Sequence, residues 1–463
     1  MNNDHDVVIL GAGISGLALA WFLRRRGVSV LIIEKSTRTG GWIQTVEKDG
    51  FLFELGPHSC RAAGNGYITL QLVEELGLQN QIVIADPAAR KKYLFVDKTL
   101  AQLPTNPLFF PFSSLTRGLL TAAIHDWRTP PNACKDESIY DFMARRFSVE
   151  IAEKLVDPIV SGIYAGDMRR LSIASCFPAI HQLEQQYGSV TRGLFSKRKP
   201  KEPVSAFVRN AQRAGIFSFR NGMETLTDEL SKRLNASIVT SCFPKNLHFD
   251  SKGVDIELSN GQMTRASHLI STLPAHSLAN LLAPYQQKLA GMLQEIESAS
   301  VAMVHCGYRQ QVLKKSGFGY LIPSQENEKI LGVIWDSCVF PGQNRHPSET
   351  RLTVMMGGSH RPELCAFDEQ ARATAALQSI EKHLGVKTKP DVVHHAIAWR
   401  AIPQYHVGYS QKIELIKRLL AELSPRISCI GSSFFGVSIN DCIENAKKRA
   451  EETNCLRNND YTM

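Results

Sequence analysis

The first chemically informative residues of the sequence are three glycines with the spacing GxGxxG. Gly11, Gly13 and Gly16 follow the β-branched run at residues 7–10 and open an apolar helical pattern. In this order the first glycine permits a tight turn, the second lets backbone N–H groups approach a pyrophosphate, and the third lets helix and strand pack closely. The helix N-terminus then faces the negative charge of the phosphates. The spacing therefore predicts a dinucleotide-binding turn.

A carboxylate follows the next predicted strand. Gly27 ends the helix, and the apolar run at residues 28–33 leads into Glu34, about 20 residues beyond the glycines, as the dinucleotide motif requires. A carboxylate at this point accepts hydrogen bonds from a ribose hydroxyl and repels a 2′-phosphate. The order strand, turn, helix, strand, acid predicts a βαβ unit for NAD or FAD and disfavours NADP.

A second glycine-rich turn lies near the end of the sequence. A predicted strand from Ile427 runs into Gly431 and Gly436, and a helix with polar residues at its N-terminus begins near Asn440. Glycines let the backbone close on a planar ring, and a helix N-terminus can stabilise negative charge on a reduced flavin. A plain strand, loop and helix without a ligand is the alternative interpretation.

Other residue types that could carry chemistry form no pattern. The ten cysteines are scattered without a Cys-x-x-Cys pair, which predicts neither a zinc site nor a disulfide framework and fits reduced thiols. His58, His276, His395 and His406 could each act as a general base, but a lone histidine is more often structural or exposed. Because no Ser/His/Asp or paired-carboxylate arrangement is legible, we assign no general base and no metal ligand.

Charge and hydropathy limit the partners. Lys and Arg exceed Asp and Glu by 53 − 44 = 9, which favours anionic partners. The densest basic run, residues 197–201, contains a proline that predicts a loop, so nucleic-acid binding is not expected. The first residues lack the basic and apolar regions of a secretory signal, so we expect none, and no apolar stretch reaches the ~18 residues of a spanning helix. The proline-broken apolar segment at residues 103–112 is either core or a patch that meets a membrane or partner.

Four separated motifs stand out along the sequence. They are GGWI with ELGP at residues 40–43 and 54–57, SGIYAGD at 161–167, IPQYHVG at 402–408, and the glycine-rich turn and helix at 431–443. Together they resemble the FAD-dependent protoporphyrinogen and coproporphyrinogen III oxidase family, part of the amine oxidase-like flavoproteins. The resemblance covers essentially the whole sequence, and the paired glycines after the βαβ unit favour FAD over NAD.

The resemblance implies FAD contacts from both ends of the chain. In the family a further backbone contact to the adenine comes from a later strand; the corresponding residue here is Pro244, which has no N–H to donate. The implied FAD-binding residues are Gly11, Gly13, Ser15, Gly16, Glu34, Lys35, Gly41, Trp42, Gly56, Pro57, His58, Ser59, Gly431, Val437, Ile439, Cys442 and Ile443.

The resemblance also implies an apolar substrate slot between FAD and a second domain. Lys92 would meet a substrate propionate as a point charge, where relatives of the mitochondrial type have Arg. The implied lining residues are Gly162, Ala165, Phe318, Leu321 and Met355. A porphyrinogen is electron-rich and readily oxidised, so the protein need only hold a reacting carbon against the flavin and exclude water.

The implied activity is the six-electron oxidation of protoporphyrinogen IX to protoporphyrin IX in haem biosynthesis. It requires three two-electron cycles, with reoxidation of FAD by O2 and release of H2O2. We expect a cytoplasmic enzyme, peripheral on the inner face of the membrane. The expected partners are the porphyrinogen, O2, an anionic membrane surface and a ferrochelatase-type acceptor.

Three alternatives stay open. Coproporphyrinogen III differs from protoporphyrinogen IX by two more propionates in place of two vinyl groups, so extra basic residues at the pocket mouth would favour it. Arg90, Lys91, Arg169 and Arg400 are candidates that the sequence cannot place. Another amine oxidase-like flavoenzyme would act on an amine or a carotenoid. A non-catalytic carrier, like the dissociation inhibitors of prenylated GTPases, would need no flavin and would be colourless.

These elements require more than one domain, since roughly 150 residues per domain is usual. We expect an α/β fold with α+β insertions: a Rossmann-like FAD-binding domain, a substrate domain and a helical insertion that associates with membranes. The expected segments are FAD-binding parts at 1–90, 205–274 and 409–463, a helical substrate- and membrane-facing insertion at 91–204, and a substrate-binding domain at 275–408.

Overall fold

The computed structural model describes residues 4–106, 110, 113, 115–116, 118–132, 136–196 and 204–459. Two seven-stranded sheets dominate this part of the chain, with a two-stranded and a three-stranded sheet beside them. The strands are β1 (His5–Leu10), β2 (Val30–Ile33), β3 (Thr45–Lys48), β4 (Phe51–Glu54), β5 (Cys60–Arg61), β6 (Ile82–Ile84), β7 (Tyr93–Val96), β8 (Thr99–Gln102), β9 (Ile216–Phe219), β10 (Ile238–Val239), β11 (Pro244–Phe249), β12 (Val254–Leu258), β13 (Met263–Ser271), β14 (Ser298–Tyr308), β15 (Gly319–Leu321), β16 (Gly332–Ile334), β17 (Thr350–Gly357), β18 (Val392–Pro403) and β19 (Ile427–Cys429).

Helices cover both large sheets and form a separate group between α3 and α9. The α-helices are α1 (Ile14–Arg24), α2 (Gly66–Glu75), α3 (Leu119–Arg128), α4 (Ile139–Arg146), α5 (Val149–Ile151), α6 (Asp157–Tyr164), α7 (Ile173–Cys176), α8 (Pro178–Tyr187), α9 (Val190–Phe195), α10 (Ala206–Ala214), α11 (Glu224–Leu234), α12 (Ala275–Leu282), α13 (Gln287–Gln294), α14 (Asp336–Val339), α15 (Glu369–Leu384), α16 (Tyr409–Leu423), α17 (Ser432–Phe435) and α18 (Ile439–Asn459). A π-helical stretch, Ala152–Val156, joins α5 to α6.

The first large sheet carries the nucleotide-binding turn. Its strand order is β10-β2-β1-β13-β12-β11, with β19 paired to β13. The pairs of β1 with β2 and β13, of β2 with β10, and of β13 with β19 are parallel. Parallel strands bury both faces, which explains their continuous apolar runs. The carboxyl ends of β1, β2 and β13 meet at one edge, where doubly wound sheets bind ligands. The predicted Rossmann-like α/β fold is confirmed.

The second large sheet has two faces with different neighbours. Its order is β18-β14-β17-β16-β15-β7-β8. Ala302 and Val304 of β14 pack in a cluster that includes Ile380 of α15. The alternating residues Val301 and Met303 belong to another cluster on the opposite face, as the two-residue period of a strand requires. One face therefore contacts α15, and the other carries this smaller apolar cluster.

The pairing of β7 and β8 differs from what the sequence led us to expect for residues 91–204. β7 and β8 lie inside the segment that we expected to be a helical insertion, residues 91–204, but they extend the second large sheet. Within the described residues, the helices of that segment begin at α3. We retain the other segment boundaries as a proposal.

Buried charge holds the helical group together. The Arg146 side chain, fully buried on α4, donates to a carboxylate oxygen of Asp126 on α3 at 3.1 Å. Its Nε donates to Glu184 on α8 at 2.7 Å. A buried charge is tolerated only when it is paired in this way. These contacts fix α3 against α8, which leaves one side of α3 to face outward.

Two sequence features lie at the limits of the described chain. Within the apolar segment 103–112, residues 107–109, 111 and 112 are outside the described residues, as is the whole basic run 197–201. The prediction of a membrane-facing patch at 103–112 therefore stays a prediction. Among the described helices, none combines the length and the apolar character needed to cross a bilayer.

Candidate flavin and substrate site

The first glycine turn lies where β1 passes into α1. A Cβ on Gly16 would lie 2.0 Å from the carbonyl oxygen of Gly11, a backbone clash that no rotamer can relieve. Gly13 is the N-cap of α1 and offers no side-chain acceptor to the first turn. The free N–H groups of that turn therefore point out of the helix end, where an anion is favourably bound.

The space at Gly13 fits a pyrophosphate. Its φ of −72° is accessible to any residue, and a Cβ there would meet only Gly41 Cα, at 3.9 Å. The protein's own packing therefore does not require glycine at position 13. Gly41 has a φ of +60°, and its Cβ would lie 3.1 Å from Gly13 Cα. The two glycine segments form a cradle that side chains would fill, as close approach of a phosphate requires.

Glu34 lies at the carboxyl end of β2, directly beside this cradle. Its carboxylate accepts the backbone N–H groups of Ala12 and Ser36, each at 2.8 Å. A carboxylate has about four lone-pair sites, so two of these contacts leave capacity for a ribose hydroxyl. Its own N–H donates to Val239 and its carbonyl accepts from Cys242. Glu34 is thus held in a fixed position beside the glycine turn, and its contact with a ribose remains a prediction.

Residues expected near the adenine lie further along the same edge. The Lys35 side chain is exposed, and its Nζ lies 5.8 Å from the centroid of the Phe243 ring. Pro244 begins β11 and pairs with Leu258. It supplies no N–H here, so a backbone donor to the adenine at this position is excluded.

The C-terminal glycine turn packs onto the N-terminal one. A Cβ on Gly431 would lie 3.6 Å from Ser15 Oγ. Ile439, Cys442 and Ile443 of α18 are buried in one apolar cluster with α1 residues. Val437 is half-buried beside them. The structure therefore brings both sets of expected flavin residues to one edge of the first large sheet. The individual contacts remain predictions.

The loop after β4 completes this edge. A Cβ on Gly56 would lie 1.8 Å from the carbonyl oxygen of Trp42. The loop therefore packs tightly against the segment that follows Gly40 and Gly41. Trp42 is 45% exposed although it is a large aromatic residue. Pro57, His58 and Ser59 are half-buried. An aromatic side chain and a glycine loop that border open space suit a planar ring.

His58 lies in a buried group of charges that the sequence did not predict. Its Nδ1 is 2.7 Å from Oδ1 of Asp336 on α14. Glu54, four residues earlier, accepts from the N–H of Met223 at 2.7 Å and from Thr45 Oγ1 at 2.8 Å. Asp336 is separated from His58 by 278 residues. No local pattern could therefore have predicted the pair of His58 and Asp336. Glu54 alone was part of a motif in the sequence, as the acid of ELGP.

Burial and pairing set the charge of this group. Burial raises the pKa of Glu54 to about 7, and the nearby His58 opposes part of that rise. Burial alone would lower the pKa of His58, but the Asp336 carboxylate outweighs it, so the pKa is raised. Burial alone would raise the pKa of Asp336, but His58 and Arg351 outweigh burial, so the pKa is lowered. The contact with Asp336 therefore favours the protonated form of His58.

The expected pocket residues form two neighbouring groups. A Cβ on Gly162 would lie 2.9 Å from Leu321 Cδ1, so these residues are in contact. Ala165, which ends α6 with a φ of +46°, packs in one apolar cluster with Met355. This cluster lies on the face of the second large sheet opposite α15. Its members are Ala165, Ala299, Val301, Met303, Leu331, Met355, Ala396, Ala398 and Ile402.

Phe318 and Lys92 lie on the same sheet but not in that cluster. Phe318 packs with Val339 and Phe340, and its N–H donates to the carbonyl of Lys91 at 2.9 Å. Lys92 is exposed. The parallel pairing of β7 with β15 carries Lys92 next to the strand that bears Leu321. Lys92, Phe318, Leu321 and Met355 therefore lie on or next to strands of one sheet, whereas Gly162 and Ala165 belong to α6 and its end. Contact of these six residues with substrate remains a prediction.

The motif IPQYHVG connects the pocket to the flavin edge. Gln404 Nε2 donates to the carbonyl of Tyr164 at 2.8 Å, beside Ala165. The Tyr405 hydroxyl accepts the N–H of Gly436 at 2.9 Å and donates to the carbonyl of Ser432. Gln404 and Tyr405 are adjacent in sequence, so they connect the end of α6 to the C-terminal glycine turn at Gly431–Gly436. This connection places the apolar cluster beside the expected flavin site.

Basic residues considered for the pocket mouth differ in placement. Arg90 and Lys91 are exposed near the start of β7. Arg169 pairs with Glu153 at 2.8 Å and lies over the Tyr140 ring. Arg400 is exposed in a bulge of β18 with a φ of +47°.

That bulge borders the apolar face. The Arg400 N–H donates to Ser300 Oγ at 2.9 Å, next to Ala398 and Ile402. A non-glycine residue at positive φ stores strain that is most often found at functional sites. Among the four, Arg400 has the placement that a second carboxylate anchor would need.

The remaining histidines considered as bases have less favourable surroundings. Burial lowers the pKa of His276, with Arg400 adding to the effect. Burial also lowers the pKa of His395 and of His406. We assign no general base among them.

Comparison with known proteins identifies the family. Residues 14–454 match the flavin-containing amine oxidoreductases. The protoporphyrinogen oxidase of Bos taurus is 37% identical, covering 96% of this chain and 98% of that protein. The coproporphyrinogen III oxidase of Bacillus subtilis (strain 168) is 29% identical, covering 96% of this chain and 97% of that protein.

Solved structures agree on the fold. The cyclohexylamine oxidase from Brevibacterium oxydans IH-35A superposes with a TM-score of 0.73 at 16% identity, covering 98% of this chain and 100% of that one. A protein from Exiguobacterium sp. 255-15, provisionally assigned as a protoporphyrinogen oxidase, gives a TM-score of 0.82 at 22% identity, with coverages of 98% and 100%. The comparisons confirm the prediction of an FAD-dependent oxidoreductase. The chain belongs to the flavin-containing amine oxidoreductase family and, within it, to the protoporphyrinogen oxidase family.

Proposed function

We propose that this chain oxidises protoporphyrinogen IX to protoporphyrin IX in haem biosynthesis, using FAD and O2 and releasing H2O2. The observation that carries the proposal is the apolar sheet face of Ala165 and Met355, joined to the second glycine turn through Gln404 and Tyr405. Full-length similarity to a protoporphyrinogen oxidase at 37% identity supports it. A wide apolar face beside a flavin edge suits a macrocycle better than a small amine.

The protein's part in this chemistry is to bind and to exclude water. Bound FAD supplies the two-electron acceptor for each of the three cycles. Ala165 and Met355 offer apolar area to one ring face, and Leu321 closes the slot against Gly162. Lys92 lies at the edge of the same sheet, where it would hold a propionate. Aromatisation of the ring provides the driving force, so no residue is assigned as a base.

A side-by-side substrate assay tests the proposal. Purified holoprotein would be mixed with protoporphyrinogen IX, coproporphyrinogen III or a primary amine, and porphyrin fluorescence and H2O2 would be followed. We expect the highest kcat/KM with protoporphyrinogen IX and about three H2O2 per porphyrin, because six electrons leave in pairs. A higher kcat/KM with the amine would refute the proposal.

Coproporphyrinogen III is the second candidate substrate. The similarity to a coproporphyrinogen III oxidase and the exposed Arg400 beside the apolar face both support it. A larger kcat/KM with coproporphyrinogen III in the same assay would select it.

We also propose that the enzyme is cytoplasmic and binds the inner face of the membrane peripherally. Leu120, Ile124 and Trp127 follow one another at helical spacing on α3 and are each about half exposed. Leu194 and Phe195 of α9 are also exposed, Phe195 by 83%. Exposed apolar residues on one helix face mark a membrane or partner site. A poorly soluble porphyrin would pass from such a site to a ferrochelatase-type acceptor.

Vesicle flotation tests this attachment. Wild-type protein should float with anionic vesicles, and the double variant Ile124→Ser, Trp127→Ser should float less while retaining FAD. Met263→Ser is the matched control, because Met263 is 62% exposed on β13, in the first large sheet. If wild type and double variant stay equally in the aqueous fraction, the attachment proposal is wrong.

A further inference from the structure

A guanidinium lies at the edge of the apolar cluster on the second large sheet. Arg400 occupies the bulge of β18 with a φ of +47°, and its N–H donates to Ser300 Oγ at 2.9 Å. Within the described chain, no acidic side chain pairs with its guanidinium. A bulge re-aims one side chain away from the regular alternation of its strand. Because Ala398 and Ile402 belong to the apolar cluster, the bulge places a cation beside an apolar surface.

His276 approaches the same place from the first large sheet. It is the second residue of α12, which follows the carboxyl end of β13, at the edge where we expect the flavin. The N–H of Ala275 donates to Ser433 Oγ of α17 at 3.1 Å, and α17 packs against β18. The helix α17 therefore holds the start of α12 next to the strand that carries Arg400. The imidazole is half-buried, and no described residue forms a hydrogen bond with it.

The side chains of Arg400 and His276 act on each other electrostatically. Arg400 adds to the burial that lowers the pKa of His276, so the guanidinium lies near enough to oppose a charge on the imidazole. A neutral imidazole keeps one N–H donor, and a guanidinium offers several in a planar fork. Both side chains are accessible to solvent. Two such donors suit a carboxylate that enters between them.

A second cation lies toward the other end of the apolar surface. In the order of the second large sheet, Arg400 is on the edge strand β18, and Lys92 directly precedes β7 near the opposite edge. Met303 of β14, Met355 of β17 and Leu321 of β15 lie on strands between them. Five strand spacings separate β18 from β7, which is about 24 Å. No single carboxylate can therefore reach both cations, and each requires its own.

We propose that Arg400 and His276 form a carboxylate subsite, which holds a propionate on the side of the macrocycle opposite the side that Lys92 holds. The inference rests on the proposed function of the chain as a porphyrinogen oxidase. Protoporphyrinogen IX carries its two propionates on adjacent pyrroles, so it engages one of the two anchors. Coproporphyrinogen III carries a propionate on every pyrrole and engages both. The subsite therefore adds affinity for porphyrinogens with carboxylates on opposite sides.

Porphyrin titration of FAD-saturated protein tests the subsite without turnover. Coproporphyrin III and protoporphyrin IX have the same peripheral groups as the two porphyrinogens, and their fluorescence reports Kd. The variants are Arg400→Gln, His276→Gln, the double variant, and Arg400→Lys, which retains the charge. Arg213→Gln on α10 and His248→Gln on β11, both at exposed sites, are the matched controls. FAD content, and KM and kcat with both porphyrinogens, would be measured for each.

Arg400→Gln should raise the Kd of coproporphyrin III about fivefold, as loss of an ion pair at a partly exposed site does. The Kd of protoporphyrin IX should stay nearly unchanged, because Lys92 holds its propionates. Arg400→Lys should recover most of the affinity. The double variant should lose less than the product of the two single losses, since both side chains contact one carboxylate. KM for coproporphyrinogen III should rise with Kd while kcat holds.

Equal losses for the two porphyrins, or single losses that multiply in the double variant, would overturn the subsite. If Arg400→Gln fails to fold, His276→Gln decides by the same ratio of Kd values. A chain that oxidises protoporphyrinogen IX, but whose variants bind both porphyrins as wild type does, refutes only the subsite. A wild-type chain that neither binds a porphyrin nor oxidises a porphyrinogen refutes the proposed function, and the subsite with it.

Discussion

Glu54 offers a direct test of how burial controls the charges beneath the flavin edge. The residue is 5% exposed, and its carboxylate accepts from the Met223 N–H and from Thr45 Oγ1. Burial raises its pKa from 4.5 to about 7. In Glu54→Gln the carbonyl oxygen can keep the Met223 contact, and the amide can donate to Thr45 Oγ1. The substitution therefore keeps the shape of the side chain and its contact with Met223 and removes the titration of the carboxyl.

The sign of the effect follows from the raised pKa. Below pH 4.5 the carboxyl is protonated in both folded and unfolded chains. As pH rises toward 7 the unfolded chain loses the proton while the folded chain keeps it, so the free energy of unfolding falls, and above 7 the loss is complete. The difference between 4.5 and about 7 corresponds to about 3 kcal/mol. The free energy of unfolding of Glu54→Gln should therefore increase relative to that of wild type as pH rises.

Thermal unfolding of FAD-saturated protein at pH 4.5, 6 and 8 measures this gain. The melting temperature of Glu54→Gln minus that of wild type should increase by several degrees across the series. Glu47→Gln, on the neighbouring exposed strand β3, is the control and should show no such trend. A melting-temperature difference independent of pH would refute the argument that burial keeps Glu54 protonated in the folded chain.

Three further substitutions test the cradle and the pocket. Gly16→Ala should yield protein without FAD, because its Cβ would clash with the Gly11 carbonyl, whereas Gly291→Ala, in open space, should retain FAD; flavin absorbance after denaturation measures both. Lys92→Met should raise KM for porphyrinogens about tenfold, the loss of an ion pair worth roughly 1.4 kcal/mol, without loss of FAD; an unchanged KM would place the propionate elsewhere. Arg400→Gln should raise KM for coproporphyrinogen III more than for protoporphyrinogen IX, and equal effects on both would exclude a specific carboxylate anchor.

The βαβ unit could be predicted because its signals are local. The turn, the close helix–strand contact and the acid lie within residues 11–34, and each depends on neighbours in sequence. The expected strand at residues 7–10 is β1, and the expected helix overlaps α1. A Cβ at Gly16 would clash with the Gly11 backbone, so the motif's spacing is itself a packing requirement.

The pocket and its charges could be predicted only in part, because they depend on contacts between distant segments. The strand β7 follows a nucleotide-binding part in sequence but pairs with β15, more than two hundred residues later, and β8 joins the same sheet through β7. Asp336 has no motif around it, and only the folded chain brings it to His58. The exposed face of α3 was likewise missed, because the proline-broken segment before it has the more conspicuous apolar run.

The motif IPQYHVG shows why a conspicuous sequence need not carry reacting groups. Gln404 contacts the Tyr164 carbonyl, and Tyr405 contacts Gly436 and Ser432 through its hydroxyl. Both side chains are buried, and each satisfies backbone groups that burial would otherwise leave unpaired. A shorter or apolar side chain at either position would free the pocket wall to move relative to the glycine turn. The motif therefore acts structurally, because it holds the apolar cluster and the C-terminal glycine turn in a fixed position relative to each other.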